Sequence, residues 1–165
     1  PTLAANTCLF ISRMRSPTEL TGPAVRLSRP EFDWERVRFA VNEGPAVLVR
    51  HGRVWVSYSA AGTGAEYCLG LLSAAEGSDL LDPQSWRKSP SSVFTSSTAH
   101  GVFGPGHNCF TTTPDGRTDL IVYHARDYAE ITGDPLDDPN RHTRVQPLGG
   151  NADGSPAFGI PAVAH

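Results

Sequence analysis

Residues 42–53, NEGPAVLVRHGR, are the stretch that decides how this chain folds. The apolar run Ala46–Val49 lies between Gly44-Pro45 and the turn residues His51-Gly52, and this arrangement predicts a short buried strand. Glu43 stands directly before that strand, where the Gly-Pro pair favours an extended backbone. A carboxyl group in such a position can retain its proton near neutral pH, as a general acid must, or it can simply bond backbone groups at the start of the strand. The stretch by itself leaves both interpretations open.

The composition predicts an all-β, turn-rich fold. The 165 residues include 16 Gly and 14 Pro, spread along the chain, so few segments are long enough without them for an ordinary helix. The net charge is -3 and no basic stripe exists to meet phosphate, which argues against nucleic acid or an anionic membrane as a partner. No apolar run approaches membrane-spanning length. Cys8, Cys68 and Cys109 are widely spaced among apolar residues, and we expect buried thiols without a disulfide.

The chain also resembles itself at an offset of about sixty residues. Gly44-Pro45 recurs as Gly104-Pro105, and Cys8-Leu9 recurs as Cys68-Leu69, in each case 60 residues later. A period of this length, with about four short strands per unit between turn residues, is typical of β-propeller blades.

The one complete unit spans residues 42–103. It predicts four strands, near 44–49, 53–59, 67–73 and 86–94. The first of them is nearly continuous in apolar residues, so we expect an innermost strand that is covered on both faces.

The flanking units are less complete. Residues 1–41 predict the end of a blade, with strands at 7–13 and 34–41 joined by a Pro-rich loop. Residues 104–165 predict the last blade and a tail, with strands near 107–112, 119–125 and 143–148, a weak outer strand near 157–160, and a long acidic loop, 126–141. These units amount to about two and a half blades of four-stranded antiparallel sheet, whereas closed propellers typically have four to eight blades. We therefore expect the chain to be the C-terminal portion of a larger propeller, whose N-terminal portion is absent.

The innermost strands of a propeller start around one shared central pocket. The repeat places Glu43 at one such start and His107 at the next, 64 residues later, so an acid and an imidazole are expected side by side. His107 could equally be an ordinary channel-lining histidine, bonded to the backbone. Tyr67 and Phe103 lie near the pocket side and could stack on a sugar, whereas His124 is expected in the core.

Several motifs resemble glycoside hydrolase family 43, in particular its α-L-arabinofuranosidase-like members. They are VNEGPAVLVRHGRVWVSYSA at 41–60, YCLGLLSA at 67–74, DLLDPQSWRKSP at 79–90, GPGHNCF at 104–110, DLIVYHARDY at 119–128 and DPNRHTRVQPL at 138–148. The resemblance implies a five-bladed propeller that hydrolyses terminal arabinose or xylose linkages of plant polysaccharides with inversion at the anomeric carbon.

The same resemblance implies roles for individual residues. Glu43 matches the general acid, which protonates the departing oxygen. His107 matches the histidine beneath the sugar, which in many members also ligates a central cation, often calcium. Arg144 is the best match for an arginine that contacts the sugar, with Arg141 three residues away. Asn108, next to His107, is expected to contact substrate as well.

Two further carboxylates of the family pattern, the general base and an aspartate that adjusts the acid, have no match here. Asp33 is expected on the outer part of a blade, and the acidic cluster 134–138 is expected to be a solvated loop. The fragment alone should therefore be unable to hydrolyse a glycoside.

The sequence thus predicts part of an inverting, exo-acting α-L-arabinofuranosidase. A β-xylosidase of the same family and a non-catalytic carbohydrate-binding propeller are the alternatives. The expected partners are an arabinose- or xylose-containing oligosaccharide or polysaccharide and the missing propeller half, either as upstream sequence or as a separate chain. The chemistry would need no cofactor, although the central channel could hold a structural calcium. No compartment is predicted.

Overall fold

The computed structural model describes residues 6–163 and confirms the all-β class. The described residues contain eleven strands, three short 3-10 helices and no α-helix. None of their helices is long and apolar enough to cross a membrane. The strands are β1 Leu9–Ser16, β2 Glu19–Ser28, β3 Asn42–Arg50, β4 Arg53–Ala60, β5 Cys68–Ala75, β6 Arg87–Lys88, β7 Phe103–Thr112, β8 Asp119–Arg126, β9 His142–Pro147, β10 Gly149–Gly150 and β11 Pro156–Ala157. The 3-10 helices are Asp33–Glu35, Pro83–Ser85 and Thr98–His100.

The middle of the chain forms the predicted four-stranded antiparallel sheet, in the order β3-β4-β5-β6. Its register pairs Leu48 with Trp55 and Val56 with Leu72. The fourth strand is shorter than predicted: β6 has two residues, and a single bridge joins Phe94 to Leu69. Pro90 lies between these two pairings, and because proline has no backbone N–H to donate, the ladder is interrupted there.

The C-terminal part forms a three-stranded antiparallel sheet, β7-β8-β9. The predicted outer strand at 157–160 is wrong, because Pro156–Ala157 instead pairs with Gly149–Gly150 in a separate two-stranded sheet. The turn between them is held by Asp153, whose carboxylate accepts the Ser155 N–H at 2.9 Å. This turn folds the chain back on itself before it can extend the larger sheet.

The N-terminal part differs most from the prediction. β1 pairs with β2, a strand within the segment that we expected to be a Pro-rich loop. Most of β2 is exposed and Gly22-Pro23 interrupts its pattern, so it carries no apolar alternation. The strand predicted at 34–41 is absent, because there the Glu35 carboxylate accepts the backbone N–H groups of residues 31 and 32 and organises a 3-10 turn.

Two clusters of buried side chains lie on the two faces of the central sheet. One face packs against the C-terminal sheet and the other against β1 and β2, so that β4 is buried along almost its whole length. β3 was expected to be covered on both faces, but Val47 and Val49 are exposed, because no described element lies over that face. Trp86 belongs to the cluster facing β1, and Trp34 packs against it.

The described part of the chain contains no disulfide, and of its three free cysteines only Cys68 is buried. Cys8 is half-buried and Cys109 is exposed, which corrects the prediction that all three are core thiols. Cys109 alternates with the buried Asn108 along β7, so its side chain points to the open face of that strand.

Candidate functional site

Glu43 is the second residue of β3, and His107 is the fifth residue of β7, a strand of the neighbouring sheet, rather than its first residue as predicted. The register of β3 shifts between Glu43 and Ala46, and that of β7 shifts on both sides of Gly106. Such irregularities re-aim side chains relative to a regular pleat. Gly44 has a φ of +54°, and a Cβ at this position would lie 3.1 Å from the His107 ring. The glycine therefore lets the imidazole lie directly against the backbone that carries Glu43.

A tyrosine joins these two side chains. The Tyr67 hydroxyl donates a hydrogen bond of 2.6 Å to Glu43 Oε1 and lies 3.4 Å from His107 Nδ1. Burial, together with the bond to Glu43, raises the pKa of Tyr67 above its ordinary value, so the phenol keeps its proton and remains a donor. Tyr67 is 1 % exposed, which rules out the sugar stacking that the sequence suggested for it.

The backbone of His107 is strained. Its φ is +48°, a left-handed value that is uncommon for residues other than glycine, and its N–H donates to Ser59 Oγ at 2.7 Å. Strained residues persist only where their surroundings hold them in place, and they cluster at functional sites. The side chain of His107 is exposed to the open side of the site.

His124 on β8 lies behind this group and stacks flat on Tyr67, with ring centroids 5.6 Å apart and planes 3° apart. Burial, reinforced by the charges of Arg141, His107 and Arg126, lowers the pKa of His124 to about 4. Its imidazole is therefore neutral near pH 7, and His124 is half-buried beside the site instead of lying deep in the core.

Two open cavities meet at the site, and Leu136 of the loop between β8 and β9 borders both of them. The cavity of about 700 Å³ contains Glu43 together with Phe39 and Glu66. The cavity of about 510 Å³ contains His107, His124 and Arg141. The acid and the imidazole thus face adjoining spaces.

The loop that separates these cavities is tied down by Arg126, whose side chain is fully buried. The guanidinium donates to the Thr63 carbonyl at 2.8 Å, the Pro135 carbonyl at 2.7 Å and Asp138 Oδ1 at 3.0 Å. Tyr128 donates to the other oxygen of Asp138 at 2.7 Å. The loop that we expected to be merely solvated is therefore anchored to the central blade.

Arg144 and Asn108 are placed apart from this group. Arg144 is buried, ion-paired with Asp127, and donates to the Ala162 carbonyl at 3.2 Å. Asn108 is buried between two sheets, where its Oδ1 accepts a bond of 2.9 Å from the Ser57 hydroxyl. Contact of either residue with a substrate stays a prediction, and it is Arg141 that borders the cavity with His107.

Comparison with known proteins identifies the family of this chain. The sequence profile of glycosyl hydrolases family 43 matches residues 4–156. The chain belongs to this family. Over 156 residues it is 53% identical to an extracellular exo-alpha-(1->5)-L-arabinofuranosidase of Streptomyces avermitilis, and this match covers 94% of the chain and 32% of the relative. It is 51% identical to alpha-L-arabinofuranosidase 43 of Humicola insolens, again over 94% of the chain and 32% of the relative.

The solved structures of family 43 agree with this assignment. The alpha-L-arabinofuranosidase from Lactobacillus brevis matches with a TM-score of 0.95 and 52% identity, over 99% of this chain and 50% of that one. A thermostable family-43 glycoside hydrolase matches with a TM-score of 0.75 and 29% identity, over 94% and 48% of the two chains.

The chain spans about a third of the length of the curated family 43 relatives that it matches. Our expectation that it is the C-terminal portion is wrong, because the match lies in the N-terminal part of those relatives.

The metal ion that the family resemblance implies for this chain is a calcium at His107. Within residues 6–163 no group of three or more His, Cys, Asp or Glu side chains could hold a metal ion. Calcium takes six to eight oxygen ligands, which can include waters and backbone carbonyl groups as well as carboxylates. The calcium role of His107 stays a prediction.

Sequence reasoning missed the bond between Tyr67 and Glu43. The available signal was the position of Tyr67 directly before the apolar run that forms β5, two strands from β3 in the same sheet, which placed it on the pocket side. The direction of its ring depends on Gly106, because a Cβ there would lie 2.2 Å from a ring atom of Tyr67. The contact between Tyr67 and Gly106 joins two different sheets, and it leaves no periodic pattern in the sequence.

Proposed function

We propose that this chain supplies the general acid, Glu43, of an inverting glycoside hydrolase that removes terminal α-L-arabinofuranosyl residues. The observation that carries the proposal is the placement of the Glu43 carboxylate. It borders an open cavity, one of its oxygens accepts a hydrogen bond from a buried phenol, and it lies beside an exposed imidazole. Glu43 protonates the glycosidic oxygen as the bond to the anomeric carbon breaks.

The relatives favour arabinose over xylose as the released sugar. Two relatives that are 53% and 51% identical to the chain are named arabinofuranosidases, and the 53% identical relative is named as exo-acting on α-1,5 linkages. The xylan beta-1,4-xylosidase from Bacillus halodurans is 16% identical and shares the fold alone.

The remainder of the active site comes from polypeptide outside this chain. Inversion requires a base that activates water across the ring, about 6.5–9.5 Å from the acid. Asp33 is exposed on its 3-10 turn and does not line the cavity of Glu43, and Asp138 is bound to Arg126, so neither is placed to act as that base. We infer that about two and a half blades are present here and that the base belongs to the rest of a five-bladed ring, either on the same polypeptide or on a second chain.

Within the chain, His107 and Arg141 are the residues best placed to hold the sugar. Both border the smaller cavity, whereas Arg144 is engaged by Asp127. We infer that Arg141 makes the sugar contact that the family resemblance suggested for Arg144. The five N–H groups of a guanidinium suit it to the several hydroxyl oxygens of a sugar.

The test is the Glu43→Gln variant of the full-length protein that carries this chain. We expect kcat/KM for an arabinan oligosaccharide, which has a poor leaving group, to fall on the order of a hundredfold or more. An aryl arabinofuranoside with an activated leaving group needs less protonation, so its loss should be smaller.

Glu66→Gln is the matched control, because Glu66 is a second carboxylate of the same cavity. Equal losses on both substrates in Glu43→Gln would remove Glu43 from the acid role. A leaving-group-dependent loss in Glu66→Gln would assign that role to Glu66. Oligosaccharide binding without any turnover in the unaltered protein would instead favour a carbohydrate-binding propeller.

A further inference from the structure

The buried Tyr67 hydroxyl has as its hydrogen-bond partner the carboxylate that borders the larger cavity. This hydroxyl donates to Glu43 Oε1 at 2.6 Å, and among residues 6–163 no second hydrogen bond reaches that carboxylate. Oε2 is therefore the oxygen left without a protein partner, on a side chain that borders the larger cavity. The two carboxylate oxygens of Glu43 thus differ in their surroundings, because only Oε1 accepts a hydrogen bond from Tyr67.

The Tyr67 ring is held so that this phenol cannot turn away. One face stacks on His124, and a Cβ at Gly106 would lie 2.2 Å from a ring atom, so the missing side chain of Gly106 is part of the space that the ring fills. Gly104 likewise lets two backbone segments lie close together beside Tyr67, since a Cβ at Gly104 would lie 2.4 Å from the Gly64 carbonyl oxygen. Close packing of this kind fixes a side chain in one rotamer.

We propose that Tyr67 is a positioning residue for the acid, which occupies Oε1 and thereby assigns the transferred proton to Oε2. This inference rests on the proposed role of Glu43. When Oε2–H breaks and the proton passes to the glycosidic oxygen, the electron pair of that O–H bond stays on the carboxylate. In the same step the electron pair of the anomeric carbon–oxygen bond passes to that oxygen, and the leaving group departs as an alcohol. Water forms the new bond to the anomeric carbon from the opposite face and gives its proton to the general base outside this chain.

The bond from Tyr67 strengthens during this step. Its acceptor changes from a neutral carboxyl group to a carboxylate, and hydrogen bonds to ionised acceptors are roughly twice as strong as neutral ones. An interaction that is stronger in the transition state than in the ground state accelerates the reaction. Tyr67 therefore contributes most where proton transfer is most advanced, which is with poor leaving groups.

The test compares Tyr67→Phe with Tyr58→Phe in the full-length protein. Tyr58 is a matched control, because it is equally buried and its hydroxyl donates at 2.9 Å to Glu35, a carboxylate outside the site. For Tyr67→Phe we expect kcat/KM on an arabinan oligosaccharide to fall about tenfold or more, with a much smaller loss on an activated aryl arabinofuranoside. Tyr58→Phe should leave the ratio of the two substrates unchanged.

An equal loss on both substrates in Tyr67→Phe, or a changed ratio in Tyr58→Phe, would overturn the inference. If Glu43→Gln shows the leaving-group dependence and Tyr67→Phe does not, only the role of Tyr67 fails. If Glu43→Gln lacks it, the proposed function fails first.

A second measurement does not depend on the folding of any variant. It is a crystal structure of the unaltered full-length protein with a thio-linked arabinose disaccharide, which is not hydrolysed. We expect Glu43 Oε2 to face the bridging sulfur while Oε1 stays on the Tyr67 hydroxyl. Oε1 facing the sulfur would overturn the inference.

Discussion

At the scale of single residues, the site depends on a missing side chain as much as on those present. Gly106 leaves the space that the Tyr67 ring occupies. We expect Gly106→Ala to lower the free energy of unfolding by about 3 kcal/mol, because the added methyl forces the ring or the strand to move. Urea denaturation of the full-length protein measures this change.

Gly77→Ala is the control for that experiment, since a Cβ at Gly77 would meet nothing within 4 Å. Its effect should stay within about 0.5 kcal/mol. Equal effects of the two substitutions would show that Gly106 is not needed for the packing of Tyr67.

The residues of the site differ in how far the sequence could predict them. Glu43 and His107 lie one repeat apart, and the repeat predicted that each would begin an innermost strand and that the two would lie side by side. The structure brings them together, although His107 is the fifth residue of β7 and not its first. Arg141 and Tyr67 lie outside the repeated positions. Arg141 reaches the site through the path of its loop and Tyr67 through the orientation of its ring, and a sequence repeat predicts neither. Asn108 shows that a position next to a site residue does not by itself predict a place in the site. His107 faces the site, but the side chain of Asn108 points to the opposite face of β7.

At the scale of elements, a buried charge cluster fixes the junction between the first and second sheets. Glu35 is 0 % exposed and accepts hydrogen bonds from Lys88, Asn42 and Tyr58, in addition to two backbone N–H groups. Asn42 immediately precedes Glu43, and its Oδ1 accepts the Ser28 hydroxyl at 2.6 Å. The start of β3 is thereby tied to β2, to β6 and to the 3-10 turn.

Lys88 is the only cation paired with the Glu35 carboxylate in the described part of the chain, with Nζ 2.7 Å from Oε1. Lys88→Met should lower the free energy of unfolding by about 3–5 kcal/mol, because it leaves a buried charge without its partner. Urea denaturation checks this value. Arg15→Met breaks an exposed pair with Glu19, and its effect should stay below about 1 kcal/mol; comparable losses in both variants would contradict the prediction.

The same cluster makes stability depend on pH in a defined direction. Burial acts to raise the pKa of Glu35, but the hydrogen bonds from Lys88, from the backbone of residues 31 and 32 and from Asn42 outweigh it, so the pKa lies below its ordinary value of 4.5. The stability that Glu35 contributes is thus present above pH 4.5 and is lost as the pH falls through the lowered pKa. The difference in unfolding free energy between the unaltered protein and Glu35→Gln should therefore shrink as the pH is lowered below 4.5. A difference that stays constant between pH 7 and pH 3, measured by urea denaturation, would contradict this expectation.

This cluster also explains why the N-terminal part was the hardest to predict. Apolar residues around Trp34 resemble a strand, but the segment is organised by a carboxylate that bonds its own backbone and a lysine 53 residues away. The central blade followed its apolar pattern because both of its faces are buried. Periodicity predicts elements that bury regular faces, and it misses segments that are held by single polar side chains.

At the scale of the whole molecule, the described surface carries apolar side chains that a finished propeller would cover. Phe10, Met14 and Leu20 are exposed on the first sheet, and Val47 and Val49 are exposed on β3. Exposed apolar faces of this kind mark surfaces for packing against other polypeptide. The span of about half the Lactobacillus brevis chain, at a TM-score of 0.95, agrees with a ring that needs further blades.

Residues 6–163 alone should therefore behave unlike the full-length protein. We expect light scattering to show self-association of the isolated segment, because exposed apolar sheet faces and unpaired strand edges bind other copies of the chain. We also expect the segment to lack a single cooperative thermal transition. The full-length protein should be well behaved under the same conditions. Phe10→Ser together with Leu20→Ser in the isolated segment should reduce the association, since both side chains lie on the exposed first sheet. A monomeric segment that melts cooperatively would mean that these blades are self-sufficient, and the general base would then have to be sought among the aspartates of this chain.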